Sequence, residues 1–390
     1  MEKDKRKITF LDTTLRDGEQ APGNSLKHGE KLELALMLEK AGIETIETGF
    51  PASSKEDFIS TQKISKILKT SNFATFSRTK LEDIDLSIQA GGTSEKHILM
   101  LVATGSDLHL EKKRKMSRQD GIEEIKKSVV YAREKGIKNV AVGIEDASRA
   151  DSKYVEELIN VAVQSGANQI ILADTTGYAM PNDIYDLVKL SKRCISKSIK
   201  LSVHCHNDLG LAVINSYYAI LAGADEIQGT IGGIGERAGN TSIEQVLALI
   251  HYKGKNKKIY SDVNKKNLYP IYEKLSEYID LEENRTLPIF GKYVFSTAAG
   301  IHQQGILNDP KTYEFVLPED WGRTREFYID KHSGKSILKD VVEKQNATDI
   351  VKDKIDSLYN KYIDNNDRTI TYQDLYKKIE QELEGELLNE

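Results

Sequence analysis

At 390 residues the chain has room for one domain of about 250 residues with appendages, or for two to three smaller ones. Its 39% hydrophobic and 29% charged residues with only 7 prolines exclude a disordered or fibrous protein, and no apolar run reaches the ~18 residues of a membrane span. A net charge of −5 with scattered lysines and arginines argues against a nucleic-acid surface. The charged start MEKDKRK runs into ITFLD without an apolar leader, so the expected location is cytoplasmic. Cys194 and Cys205 are too few for a disulfide framework and are expected to be reduced. Two basic runs, 111–115 and 251–258, read as solvated faces or as contacts to an anionic cofactor.

In chain order, short β-branched runs alternate with longer segments of helical period. The predicted strands are 8–12, 43–50, 73–77, 97–103, 139–146, 169–174, 201–207 and 226–232. Between them lie amphipathic stretches, several ending in glycine as a helix C-cap does. Such alternation demands parallel pairing through crossovers, and eight units in about 250 residues predict a (β/α)8 TIM barrel. After about residue 255 the rhythm breaks. The passage 294–320 reads as extended, 335–390 as two or three charged helices, and this tail lacks the periodicity of a second large core. The expected limits are a catalytic barrel over 1–275, a linker and lid-like subdomain over 276–330 and a small helical subdomain over 331–390.

In such a barrel reactive groups come from strand ends and the loops that follow them, which share one mouth. The ends carry Arg16, Asp17 and Gln20 after the first strand, Glu47 on the second, Arg78 after the third, Glu145 and Asp146 on the fifth, Asp174 and Thr175 on the sixth, and HCHND on the seventh. Alternation puts His204 and His206 on one face, into the barrel, with Cys205 on the other. Two imidazoles one pleat apart, with Asp17 as third ligand, predict a metal site with open positions for substrate: nitrogen and oxygen donors without thiolate suit Mg²⁺, Mn²⁺ or Zn²⁺. A lone histidine there would read as a hydrogen-bonded core residue. The glycine-rich run after strand eight, GTIGGIGERAGN, matches neither the dinucleotide nor the P-loop spacing. Its position is where barrels hold phosphate-bearing ligands, which makes Gly233, Gly235, Glu236, Arg237 and Gly239 candidates for a cofactor tail. His97 reads as a packing or surface residue, and His28, His109 and His251 as exposed.

The stretches DTTLRDGEQAPG, HCHNDLGLAVINS, GGIGERAGN, GIHQQG and DKHSGK, in that order over roughly residues 8 to 340, resemble the isopropylmalate synthase and homocitrate synthase family of acyl-CoA Claisen condensing enzymes. The resemblance implies a metal-dependent barrel that joins acetyl-CoA to a 2-oxo acid and then hydrolyses the thioester to release CoA. It implies a homodimer, the post-barrel segment of one subunit reaching over the mouth of the other. Carried over by motif, Asp17, His204 and His206 are metal ligands and Asn240 a further or water-mediated one. Arg16, always cationic, stabilises developing negative charge. Gln20, Glu47 and Thr175 hold polar groups of the substrate or orient the ligands, Glu47 being counted with Arg16 in the catalytic set. His302 of GIHQQG, with Tyr313, is associated with removal of the acetyl methyl proton and with the hydrolysis, exchanges for which imidazole is suited. Asp12 and Glu19 are left as loop structure, Glu47 and Asp146 also read as partners of buried arginines, and His332 of DKHSGK has no role.

The family divides by 2-oxo acid, with an apolar pocket for 2-oxoisovalerate or pyruvate and a cation for the distal carboxylate of 2-oxoglutarate or oxaloacetate. The fourth strand and its loop are closer to the isopropylmalate branch, with Leu99, Met100 and Leu101 as apolar walls. A His-Thr pair usual in that strand is missing, and no leucine-type regulatory domain is expected. The best expectation is 2-oxoisovalerate, with homocitrate synthase and citramalate synthase as alternatives. A lyase of the hydroxymethylglutaryl-CoA type shares the barrel, the Arg-Asp pair and the histidine pair, but is expected to carry a cysteine in the loop after strand eight, where this chain has GGIGERAGN. A non-catalytic sensor that keeps the ligands would lose the base, and His302 is present.

Overall fold

The structure, a computed structural model, describes residues 5–345, 355–364 and 369–387. By its internal contacts the chain divides into two units, Met1–Glu282 and Glu283–Glu390. In the first, eight parallel strands close into a barrel: β1 (Thr9–Asp12), β2 (Thr45–Gly49), β3 (Asn72–Ser77), β4 (His97–Thr104), β5 (Asn139–Glu145), β6 (Gln169–Asp174), β7 (Lys200–Cys205) and β8 (Glu226–Gly229), with β8 returning to β1. Each β-branched run predicted from the sequence forms one of these strands. Buried on both faces, such strands read as near-continuous apolar runs.

Helices α1 (His28–Ala41), α2 (Lys55–Ile67), α3 (Leu81–Gly91), α4 (Arg118–Glu134), α5 (Ser152–Gln164), α6 (Pro181–Cys194), α7 (Ala212–Ala222) and α8 (Ile243–Lys253) follow the strands one by one, and α9 (Leu268–Tyr278) comes after them. Their starts are written in short polar residues. Ser117 accepts from the Asp120 backbone N–H while the Asp120 carboxylate accepts from that of Ser117, satisfying two donors that a helix start leaves open. Inside the barrel Leu11, Ala74, Ile98, Met100, Ala141 and Ile171 form one apolar cluster. The barrel is therefore a packed core with its open space at one end.

His97, at the start of β4, is fully buried. Its Nδ1 donates to the Gly92 carbonyl at 2.6 Å, its Nε2 accepts from the Thr75 hydroxyl at 2.8 Å, and the ring stacks on Phe73. Both nitrogens are satisfied in the neutral form. Burial pulls the imidazole down to about 4, against the Gly92 bond. A base whose folded value lies below its unfolded ~6.5 takes up a proton more readily when unfolded, so stability should fall as pH drops from 6.5 towards 4, by up to about 3 kcal/mol. Thermal melts across that range should show a shallower decline for His97→Gln than for the parent chain. Equal slopes would remove His97 from the balance.

The second unit has a core of its own. Ile329, Ile337, Leu338, Val341, Val342, Ile355, Leu358, Ile363, Leu375 and Ile379 pack together, contributed by β10 (Glu326–Ile329), α11 (Lys335–Lys344), α12 (Ile355–Tyr359), the helical turn Asn360–Asp364 and α13 (Tyr372–Leu387). A second large core was not expected, and this is a smaller one, whose apolar residues come from short, widely spaced segments with a periodicity that is weak in any one window. The sheet of this unit pairs β9 (Ser296–Thr297) with β10, and β10 with β11 (Ile370–Thr371). Residues on both sides of position 330 thus share one sheet and core. The passage 294–320, expected to be extended, holds α10 (Gly300–Asn308). The expected helices over 335–390 lie partly outside the described residues. Among those described, no helix is long and apolar enough to cross a membrane.

Candidate active site

The strand ends of the first unit converge on a cavity of about 740 Å³ whose lining includes Arg16, Asp17, Gln20, Thr175, His204, His206 and Glu236. The His204 and His206 Nε2 atoms lie 3.1 Å apart, and Asp17 Oδ2 is 3.5 Å from the first and 4.0 Å from the second. All three side chains are buried. Alternation along β7 turns both rings inward, while Cys205 between them is fully buried on the other face. Asn240 completes the cluster, giving its Nδ2 to Asp17 Oδ2 at 2.5 Å.

Charge is arranged to keep this cluster anionic at the carboxylate and neutral at the rings. Burial opposes ionisation of Asp17, but the Arg16 guanidinium and then the two imidazoles outweigh it and hold the carboxyl well below the usual range. Burial pulls His204 down, and burial with His204 alongside pulls His206 to about 4. Two neutral rings presenting Nε2 to one point, beside a carboxylate, fit a divalent cation. Asp17, His204 and His206 are the one such group among the described residues. An orphaned polar atom supports the fit, since the buried Asn240 Oδ1 has no partner. Turning the Asn240 amide over presents its oxygen to the same point.

Arg16 is held from several sides. Its Nη1 reaches Asp17 Oδ1 at 2.5 Å and Gln20 Oε1 at 3.4 Å, its Nε donates to Glu47 Oε1 at 2.7 Å, and its guanidinium lies 4.7 Å from the Phe76 ring centroid. Burial weakens the charge, but Asp17 and Glu47 outweigh it and keep the group protonated. Glu47 is fully buried behind Arg16 and is not among the cavity-lining residues. It therefore touches Arg16 rather than a bound molecule, which makes it a positioning residue instead of a member of the catalytic set. Burial, only partly offset by Arg16, raises it to about 7.

Leu99 is likewise absent from the lining. Ile98 and Met100 belong to the inner cluster, so alternation along β4 turns Leu99 towards the helices. Thr175 lines the cavity and its hydroxyl accepts from the Asp146 backbone N–H at 2.8 Å. In the glycine-rich loop, Gly235 (φ 153°) and Gly239 (φ 91°) adopt backbone that side chains rarely enter. A Cβ on Gly235 would strike the Asn240 amide, and one on Gly239 the Gly233 carbonyl. These glycines fold the loop tightly enough to deliver Asn240. Glu236 lines the cavity, while Arg237 is committed to Asp208 through two nitrogens at 2.7 and 3.0 Å and to the Thr175 carbonyl at 2.9 Å.

Asp12 and Glu19 serve the loop: Thr14 occupies both Asp12 oxygens, and Glu19 accepts from the Leu26 backbone N–H and pairs with the buried Lys31. His109, read as exposed, is tucked against Glu145 Oε2 at 3.3 Å with 19% of its side chain accessible. Met100 and Leu101, expected as apolar walls, do line the cavity, and so do Phe76, Glu145 and Gln228, to which sequence reasoning assigns no role. For Gln228 a signal existed: in EIQG, two polar residues at spacing two break the apolar inner face of a strand. His302 and Tyr313 belong to the second unit. Their ring centroids are 4.1 Å apart, and they line a pocket there with His332, Lys335 and Lys339.

The HMGL-like family model matches residues 7–274, and the model for the homocitrate synthase post-HMGL domain matches 289–369. The 2-isopropylmalate synthase of Pyrococcus abyssi is 36% identical over 386 residues, 97% of this chain and 78% of that protein. The chain belongs to the isopropylmalate synthase and homocitrate synthase family. The 2-isopropylmalate synthase of Sediminispirochaeta smaragdinae is 37% identical over 87% of the chain and 68% of its own length. For 2-isopropylmalate synthase 1 of Caldanaerobacter subterraneus the figures are 36%, 97% and 96%. Family membership makes this an enzyme of the acyl-transferring condensing class. The hydroxymethylglutaryl-CoA lyase of Bacillus subtilis superposes with a TM-score of 0.63 at 17% identity, over 73% of this chain and 98% of that one. That likeness concerns the barrel fold alone.

Proposed function

We propose that this family member condenses acetyl-CoA with 2-oxoisovalerate, giving 2-isopropylmalate and free CoA, and works as a homodimer. The observation that carries the choice of acceptor is the wall of the mouth cavity. Beyond the Arg16, Asp17 and histidine end it is lined by Phe76, Met100, Leu101, Val102, Gly143, Ile171 and Ala173. The one guanidinium among the described lining residues, Arg16, is already held by Asp17 and Glu47, and the remaining charges are the carboxylates Glu145 and Glu236. Glu145 and Glu236 are paired in turn with Lys113 and Arg237, so a second carboxylate on the 2-oxo acid would find no uncommitted cation among the described lining residues, whereas an isopropyl group meets apolar surface.

In this reading Asp17, His204 and His206, with Asn240, hold a divalent cation, Mn²⁺, Mg²⁺ or Zn²⁺. Such a cation supplies Lewis-acid withdrawal of charge from the 2-oxo carbonyl. Arg16, fixed by its carboxylates and by Phe76, faces the oxygen on which charge develops and needs no reorganisation to stabilise it. Gln20 and the Thr175 hydroxyl orient the acceptor. His302, with Tyr313 against it, takes a proton from the acetyl methyl group, whose carbon then bonds to the 2-oxo carbon. The new alkoxide gains a proton, and water cleaves the thioester to leave a carboxylate and CoA thiol. Glu236 and the glycines of its loop border the thioester end.

The test is purified protein with acetyl-CoA, Mn²⁺ or Mg²⁺ and one 2-oxo acid at a time, free thiol being measured. The expected order places 2-oxoisovalerate at least about tenfold above 2-oxoglutarate in kcat/KM, since an unpaired buried charge costs more than 1.4 kcal/mol. A preference for 2-oxoglutarate or pyruvate would move the chain to the homocitrate or citramalate branch. No thiol with any acceptor would end the synthase reading.

A further inference from the structure

Strand β8 carries an inward polar residue that the mechanism above does not use. Gln228 is the register partner of His204 on β7 and of Leu11 on β1, is 4% exposed and lines the mouth cavity together with His204. Its Nε2 is buried without a partner. An amide in that condition is costly unless an acceptor arrives, because its donors have left water for nothing. Its neighbour His204 gives the amide oxygen a direction. His204 Nε2 is the nitrogen turned to Asp17 and His206, so the ring's remaining N–H is the group that an amide oxygen can hold. A ring fixed through that N–H keeps the Nε2 lone pair free.

We propose that Gln228 is a two-sided residue of the mouth: its side-chain oxygen fixes the His204 ring in the cation-ligating tautomer, and its Nε2 donates to a carboxylate or oxo oxygen of the bound 2-oxo acid. The second half rests on the proposed function; the first does not, since it concerns a ligand ring and can be read without substrate. An apolar residue of equal size would fill the same space beside Leu11, so packing alone does not call for an amide there.

The test combines Mn²⁺ titration of metal-stripped protein, followed by electron paramagnetic resonance, with steady-state kinetics. Gln228→Leu and Gln228→Met, which keep the volume and remove the oxygen, are expected to bind Mn²⁺ about 10- to 100-fold more weakly. Gln228→Glu keeps an acceptor for the ring and should hold Mn²⁺ as the parent does. By placing an anion where a donor stood, it should raise KM for the 2-oxo acid about tenfold or more with KM for acetyl-CoA unchanged. Parental Mn²⁺ affinity in both apolar variants would overturn the positioning half, and an unchanged 2-oxo acid KM in Gln228→Glu the donor half. If only one apolar variant folds, it decides alone; if neither does, parental Mn²⁺ affinity in Gln228→Glu supports the positioning half and a loss overturns it. A parent chain that binds Mn²⁺ but condenses no 2-oxo acid would strike the proposed function and leave the ring-positioning result standing.

Discussion

His204→Ala is expected to weaken Mn²⁺ binding more than about 100-fold and to lower condensation by about 10³-fold or more. One of the two imidazole ligands is gone, and Lewis-acid withdrawal of charge is worth several kcal/mol at tenfold per 1.36 kcal/mol. The barrel should survive, because the apolar cluster of Leu11, Ala74, Ile98, Met100, Ala141 and Ile171 excludes His204. Two measurements separate a ligand from a structural histidine. With Mn²⁺ at 100 times its dissociation constant, binding to the folded state alone adds about 2.7 kcal/mol, so the parent melting temperature should rise by a few degrees and that of the variant should not. In metal-free buffer the two should melt close together. A large fall of the variant there would assign the histidine pair to folding.

The second large effect is expected at His302→Ala. Metal and 2-oxo acid binding should persist, since the cluster that would carry them is built from Asp17, His204 and His206, while thiol release should fall about 10²- to 10⁴-fold, the usual contribution of a positioned proton acceptor. His302 is solvent-exposed on α10, and exposed substitutions usually change stability by no more than about 0.5 kcal/mol, so a folding defect is not expected to mask the result. Tyr313→Phe keeps the ring tilted against His302 at 4.1 Å and removes only the hydroxyl. A smaller loss there than in His302→Ala would assign the proton transfer to the imidazole. Normal turnover of His302→Ala would take it out of the mechanism.

How much of this was legible in the linear chain follows from the range of the interactions involved. The strand 139–146 was read within one residue of Asn139–Glu145, and 169–174 without error, because a strand buried on both faces announces itself over six or seven consecutive residues. The smaller core of the second unit is not legible residue by residue for the opposite reason: Ile329, Val341, Ile363 and Ile379 come from separate short segments. His109 was read as exposed because its cover, Glu145, lies on the neighbouring strand end. Leu99 was placed in the pocket because alternation divides a strand into two faces without saying which is inner.

The sequence by itself determined the eightfold barrel and the shared face of His204 and His206, both consequences of local periods of two and 3.6 residues. The motifs already single out Asp17 among the carboxylates of DTTLRDGEQ; only the tertiary structure shows what takes up the others. Asp12 is taken by Thr14, Glu19 by Lys31 and Leu26, and Glu47 by Arg16, leaving Asp17 beside the two rings. That placement depends on barrel closure, which brings β8 between β7 and β1, and on two tight glycine turns that return Asn240 to Asp17 across 223 positions of sequence. Side-chain partners so far apart are set by the closure of the whole sheet, and no local period records them.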